Sequence, residues 1–190
     1  MRETILDGDE RKFHEQGLLT ETIVSVHESY AQSVQIMLSS FLRADTEVSL
    51  SNVEQTTFSN YVMSLENPTC IASFGMQPSN RCGIMEVNSA VMYSIVNRTL
   101  GSGLAVPSGR TFTELELAVA RRVVTMMLRE LELTWSYAAG VTFSLKEIYC
   151  DPLHIHNIPM DELCVIISLK VKVVGTTGMI TLCIPQTSTP

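Results

Sequence analysis

Charge is scarce in this sequence: Asp, Glu, Lys and Arg make up 17% of its 190 residues, against about a quarter in typical soluble domains. Basic residues are the scarcer kind, 13 against 20 acidic, for a formal net charge of −7. No Lys/Arg cluster stands out, the densest pair being Arg121-Arg122. Phosphate backbones and anionic leaflets are bound through basic faces, so neither nucleic acid nor a charged membrane surface is an expected partner. No apolar run approaches the roughly 20 residues that cross a bilayer, and the charged start, with Asp7, Asp9, Glu10, Arg11 and Lys12, is unlike a signal peptide. No membrane insertion is expected.

Motifs of chemistry are lacking too. There is no G-x-S-x-G nucleophile elbow, no P-loop and no dinucleotide fingerprint. Gly101-Ser102-Gly103 follows a helical pattern rather than a strand, which is the wrong context for binding phosphate. The cysteines, Cys70, Cys82, Cys150, Cys164 and Cys183, form no C-x-x-C pair. Four of them fall in apolar, strand-like runs, as buried and reduced thiols of a cytoplasmic protein do. His154-Ile155-His156, with Asp151 and Asp161 nearby, is the most metal-like group. Two imidazoles are too few for a site, and polar residues of an exposed loop are the preferred reading. Glu114 and Glu116 open a helix, where its dipole favours negative charge without any catalytic role. No metal, cofactor or catalytic residue is expected.

What is present is 45% hydrophobic residues in clear periods. From about Thr20, Ile23, Val26, Tyr30, Val34, Met37 and Phe41 recur at three- and four-residue spacing and predict a long helix. A strand over 46–50 and a short helix over 55–65 follow, the latter ended by Asn67-Pro68. Apolar runs at 70–76 and 83–87 flank Gln77-Pro78-Ser79-Asn80 as a hairpin. Asn88 is placed to cap a helix carrying Val91, Met92, Ile95 and Val96. A loop rich in turn residues, 100–110, leads to the strongest helix. There Thr113 and Glu116 form a capping box, Leu117, Ala120, Val124, Met127, Leu131 and Trp135 make the stripe, and Gly140 is the stop. A strand over 141–148, an irregular stretch over 151–159 and a second hairpin, with strands 163–174 and 179–185, complete the chain.

Both halves run long helix, strand, short or irregular segment, hairpin. That shared order points to an internal duplication. The expected fold is a three-layer α/β/α sandwich with approximate two-fold internal symmetry, the long helices covering the faces of one sheet. Residues 1–17 read as a flexible lead-in, 18–186 as the domain and 187–190 as a linker stub.

Several stretches resemble the middle domain of the flagellar motor switch protein FliM family, in the family's order. They are Glu47-Val48-Ser49-Leu50-Ser51-Asn52-Val53-Glu54-Gln55-Thr56-Thr57-Phe58, Ser64-Leu65-Glu66-Asn67-Pro68-Thr69, Phe112-Thr113-Glu114-Leu115-Glu116 and Gly178-Met179-Ile180-Thr181-Leu182-Cys183-Ile184-Pro185. The resemblance implies a CheC-like α/β/α fold and a scaffold, not an enzyme, in the cytoplasmic ring of the flagellar rotor at the inner face of the cell membrane. It implies docking of the FliG middle domain, side-by-side packing with other FliM copies, and engagement of FliN and phosphorylated CheY through regions not in this chain. The family docks FliG through a G-G-x-G loop, and here the matching position reads Gly101-Ser102-Gly103-Leu104. Arg98, Gly101, Ser102 and Gly103 are therefore the expected FliG face. Gln55, Phe58, Tyr61, Asp151, His154 and His156 are the expected lateral contacts. The alternative in the same superfamily is a CheC-type phosphatase of phosphorylated CheY, which places a Glu and an Asn three residues apart on each long helix. Here Glu28 is followed at that spacing by Ala31, and Glu116 by Val119, so no phosphatase activity is expected.

Overall fold

A computed structural model describes residues 6–101 and 109–186. In chain order the elements are α1 (Leu6–Leu42), β1 (Thr46–Thr57), α2 (Phe58–Ser64), β2 (Cys70–Gln77), β3 (Arg81–Val87), α3 (Ser89–Leu100), α4 (Glu114–Ala139), β4 (Thr142–Tyr149), a 3-10 turn (Pro152–His154), β5 (Leu163–Val173) and β6 (Thr176–Pro185). The strands form one antiparallel sheet in the order β1-β5-β6-β3-β2-β4.

That order carries the duplication. Replacing each strand by its counterpart in the other half, β1 with β4, β2 with β5 and β3 with β6, returns the same list read backwards. The approximate two-fold axis therefore passes between β3 and β6, perpendicular to the sheet. Such an axis keeps equivalent elements on the same side, and α1 and α4 do share one face. Tyr30, Val34 and Leu38 of α1, Val91, Met92 and Ile95 of α3, and Val124, Met127 and Leu131 of α4 enter a single core. Val165, Ile167, Leu169, Val171 and Val173 of β5 meet them from the sheet. The expectation that the long helices divide between the two faces is thus corrected. The third layer is thin: α2 and the segment around the 3-10 turn seal the opposite face through Phe58, Tyr61, Val62, Ile155 and Ile158 against Ile71, Ile84, Ile166 and Cys183.

Two boundaries move. α1 begins at Leu6, well before Thr20, and so takes in much of the segment read as a flexible lead-in; residues 1–5 and the stub 187–190 lie outside the described residues. The helix expected over 55–65 starts only at Phe58, because β1 continues to Thr57. Gln55 to Thr57 pair with Val165 to Leu163 of β5, and pairing of β-branched residues overrides a weak local helical pattern. A register shift between Leu50 and Asn52 lets this strand carry on past the bend.

Among the described residues, no helix is long and apolar enough to cross a membrane.

Candidate functional site

The loop expected to dock a partner hangs between two anchored stems. The first is the end of α3. Asn88 caps this helix at its start, its side chain accepting from the Ala90 N–H at 3.0 Å. Gly101 ends it in the left-handed conformation, φ 68°, with its N–H returned to the Asn97 carbonyl. Arg98, one turn earlier, is exposed but tied down along one edge of its guanidinium. Its Nε donates to the Leu42 carbonyl and its Nη2 to the Arg43 carbonyl, both at 3.1 Å. Those carbonyls close α1, where a cation satisfies orphan acceptors and the negative end of the helix dipole. Arg98 is a clamp between α1 and α3. Ser102 and Gly103 lie outside the described residues.

The second stem was not foreseen as a site, although its capping box was. Arg110 reaches forward to Glu116 as a fork, Nη2 to Oε1 at 2.6 Å and Nη1 to Oε2 at 2.9 Å. Glu116 also accepts from the Thr113 N–H at 2.7 Å and hydroxyl at 2.8 Å. The Arg110 guanidinium beside it, with the Thr113 bonds, holds the Glu116 carboxyl down at about 2. Arg110 lies over the Tyr93 ring at 4.9 Å, the Tyr93 hydroxyl donates to the Arg110 carbonyl at 2.9 Å, and Tyr93 stacks on Phe112 at 4.2 Å. Tyr93 and Phe112 are buried. The sequence signal for this staple was Phe112-Thr113-x-x-Glu116; Arg110 and Tyr93 join it only through the tertiary fold.

The expected lateral residues separate into two groups. Phe58 and Tyr61 are 0% and 3% exposed and belong to the core beneath α2. They offer almost no surface to a neighbour, because the layer on this face is thin and its aromatic rings are needed to seal the sheet. Gln55, His154 and His156 are exposed. Asp151 is half-buried and caps the 3-10 turn, accepting from the Leu153 N–H at 2.9 Å and from the Asn67 amide at 3.2 Å. Ile155, between the two histidines, is buried. Among the described residues no three His, Cys, Asp or Glu side chains come together as a metal site.

On the same side of the sheet a cleft of about 400 Å³ opens beside α2, with Glu54 and Glu66 on its wall and Glu86 at its floor. Glu86 accepts from the Thr69 hydroxyl at 2.5 Å and the Thr181 hydroxyl at 3.3 Å, and Thr181 bonds the Tyr61 hydroxyl at 2.8 Å. Burial pushes the Glu86 carboxyl up to about 7, against the pull of the two threonines. No nucleophile motif accompanies it. Among their described side chains, the long helices show no water-orienting pair at the expected positions either. Glu116 is taken by Arg110 and Thr113, and Ala31, three residues after the exposed Glu28, is buried.

The sequence matches the profile of the flagellar motor switch protein FliM over residues 19–189. The chain belongs to the FliM family. FliM of Borreliella burgdorferi is 28% identical over 166 residues, which cover 86% of this chain and 47% of that protein. FliM of Treponema pallidum is 28% identical over 165 residues, covering 86% and 48%. The chain therefore spans about half the length of the curated FliM relatives it matches. Among solved structures, the FliG–FliM complex from H. pylori superposes with a TM-score of 0.84 at 23% identity, covering 88% of this chain and 92% of that one. The FliM middle domain from H. pylori gives 0.83 at 23%, covering 90% and 93%. The chemotaxis protein CheX from Desulfovibrio desulfuricans shares the fold more loosely, 0.55 at 12%, covering 85% and 99%. The fold is thus shared with a chemotaxis protein.

Proposed function

We propose that this chain is a non-enzymatic scaffold of the flagellar motor switch, on the cytoplasmic side of the rotor. It docks the FliG middle domain through the loop that follows α3 and packs beside other FliM copies. The FliN and phosphorylated CheY contacts belong to parts of the protein outside this chain. The observation that carries the reading is the pair of stapled stems. Arg98 ties the start of the loop to the end of α1, and Arg110, Tyr93, Phe112 and Glu116 tie its return to α4. Fixed flanks limit the stretch of chain that has to be ordered when a partner binds. The solved FliG–FliM complex, whose FliM chain shares this fold, supports the partner.

Arg98 acts here by fixing the stem, and the contact itself falls to Gly101, Ser102 and Gly103. For the lateral contact, the exposed Gln55, His154 and His156 are the candidates, with Asp151 holding the loop that carries the histidines.

Calorimetric titration of the FliG middle domain into this chain, beside a Gly101→Trp variant, tests the reading. A Cβ at Gly101 meets no atom within 4 Å, and the φ of 68° disfavours any L side chain, so Gly101→Ala beside the Trp variant separates backbone strain from the bulk that blocks a partner. Binding abolished in a folded variant places the docking point. Binding unchanged moves the contact elsewhere, and no binding by the folded parent chain removes FliG as the partner.

A further inference from the structure

The seam between α1 and α4 holds three buried side chains whose polar atoms find no partner: Nε2 of His27, the hydroxyl of Tyr30 and Nε1 of Trp135. The three residues are 1%, 0% and 3% exposed. Buried polar groups are almost always bonded, so three unpaired ones at one seam call for an explanation. His27 meets Trp135 edge to face, ring centroids 5.8 Å apart, and Tyr30 likewise at 6.3 Å. Trp135 in turn packs on Phe143 of β4 at 5.5 Å.

The state of His27 follows from its bonds. Nδ1 lies 2.8 Å from the Ile23 carbonyl. A carbonyl only accepts, so Nδ1 carries the hydrogen and the neutral ring presents a bare Nε2. A second proton would sit on Nε2, buried and without an acceptor. Among the described side chains, no carboxylate is placed to compensate. Glu28, next in α1, is exposed. Glu130 of α4 acts on the Tyr30 hydroxyl. Glu132 of α4 is engaged by the Phe143 N–H at 2.9 Å, and β4 contributes Phe143 itself. Burial accordingly holds the imidazole below its ordinary 6.5, the Ile23 carbonyl opposing. The position also matters. Among the described side chains of α1, from Thr22 onward, His27 is the first that is buried; Ile23, Val24 and Val26 before it are only partly covered.

We propose that the contact of His27 with Trp135 and Tyr30 is a proton-sensitive latch: a second proton on His27 frees the N-terminal part of α1 from α4, while the sheet and the rest of the core stay folded. The sign follows from the neutral ring being favoured when latched. The latch is fully closed above 6.5, the ordinary value, and loosens as pH falls from there through the lower value of the buried ring. With one proton taken up on opening, the opening equilibrium rises by up to about tenfold per pH unit in that window.

Hydrogen exchange on the full chain, corrected for the intrinsic pH dependence of amide exchange, tests this between pH 7.5 and 5.5. Amides of α1 up to His27 are expected to lose protection by up to about tenfold per unit, those of β5 and β6 to stay constant. Trp135, the sole tryptophan, reports in parallel through quenching of its emission by the charged imidazole. His27→Gln, which keeps a polar side chain that does not titrate, is expected to exchange alike at both pH values. Equal α1 protection at both pH values in the parent chain overturns the latch, as does an unchanged pH response in His27→Gln. If the variant fails to fold, an NMR titration of the His27 ring in the parent decides: a midpoint at or above 6.5 overturns the proposal, and one below it, moving together with the α1 amides, sustains it.

Discussion

Glu86 and Glu116 are carboxylates that are 5% and 8% exposed, and their responses to pH are opposite. Glu116 is held near 2 by Arg110 and Thr113, against an ordinary 4.5. Its contribution is complete above 4.5 and is lost as pH falls toward 2. Glu116→Gln is expected to lower the Tm at pH 7 and to remove most of the further Tm loss between pH 4.5 and 2.5; thermal melts of both proteins across that range check it. Glu86 sits near 7, above the same 4.5. Its protonated form suits the fold, so its contribution is complete below 4.5 and is lost as pH rises through 7. Glu86→Gln keeps the Thr69 and Thr181 bonds within reach of a neutral group, and is expected to raise the Tm at pH 8 while changing little at pH 4.5. An equal shift at both pH values would mean that the substitution acts through packing and not through charge. The capping role of Glu116 was legible in the spacing Thr113-x-x-Glu116. The fork from Arg110 was not, because it depends on where a loop returns. Nor was the environment of Glu86, which depends on Thr181 arriving from a strand 95 residues away.

At the scale of elements, the sequence signals that proved reliable were those with a local cause. The capping box of α4, the Asn88 cap of α3, the Gly140 stop and the first hairpin stand where their residues place them. The second hairpin turns earlier than its glycines suggest, at Val174-Gly175, because Thr176 and Thr177 already pair with Val173 and Lys172. Periodicity names the apolar stripe of a helix but not the face of the sheet that receives it, which is why α1 and α4 were expected on opposite sides. The end of β1 was obscured because its register shift moves side chains to the other face and breaks the alternation. One contact between elements is tight enough to test. In the β2–β3 pairing Gly83 stands opposite Phe74, and a Cβ at Gly83 would lie 2.5 Å from the tip of that ring. The ring is fully buried and edge-on to Phe143 at 5.6 Å, so it has little room to retreat. Gly83→Ala is expected to cost about 1–3 kcal/mol in chemical denaturation. Adding Phe74→Leu is expected to cost less than the sum of the two single changes, since the shorter side chain removes the clash. Strict additivity would show that the ring is not what resists the methyl group.

The two halves of the whole molecule do not sit side by side; each lends a strand to the other. β1 precedes the hairpin β2–β3 in sequence, yet among the described residues it pairs with β5 of the second half alone, and β4 correspondingly with β2 of the first. The hairpins themselves meet across the approximate two-fold, β3 against β6. Duplication was readable from the repeated order of elements, but this exchange was not, since order along the chain says nothing about which half a strand joins. The consequence concerns foldability. Alone, residues 1–108 would hold one two-stranded hairpin and an unpaired β1, and a lone hairpin is marginal in water. The apolar face of α1 would lose α4 and most of the sheet that covers it. Separate expression of 1–108 and 109–190 is expected to give no cooperative thermal transition for either piece as a monomer, and co-expression to restore one. A first half that melts cooperatively as a homodimer, sized by light scattering, would also fit, because a second copy can supply the missing strand through the same two-fold. A cooperative monomer would not: β1 would then have found a partner within its own half, and the exchanged strands would be an ornament of the fold rather than the reason it holds together.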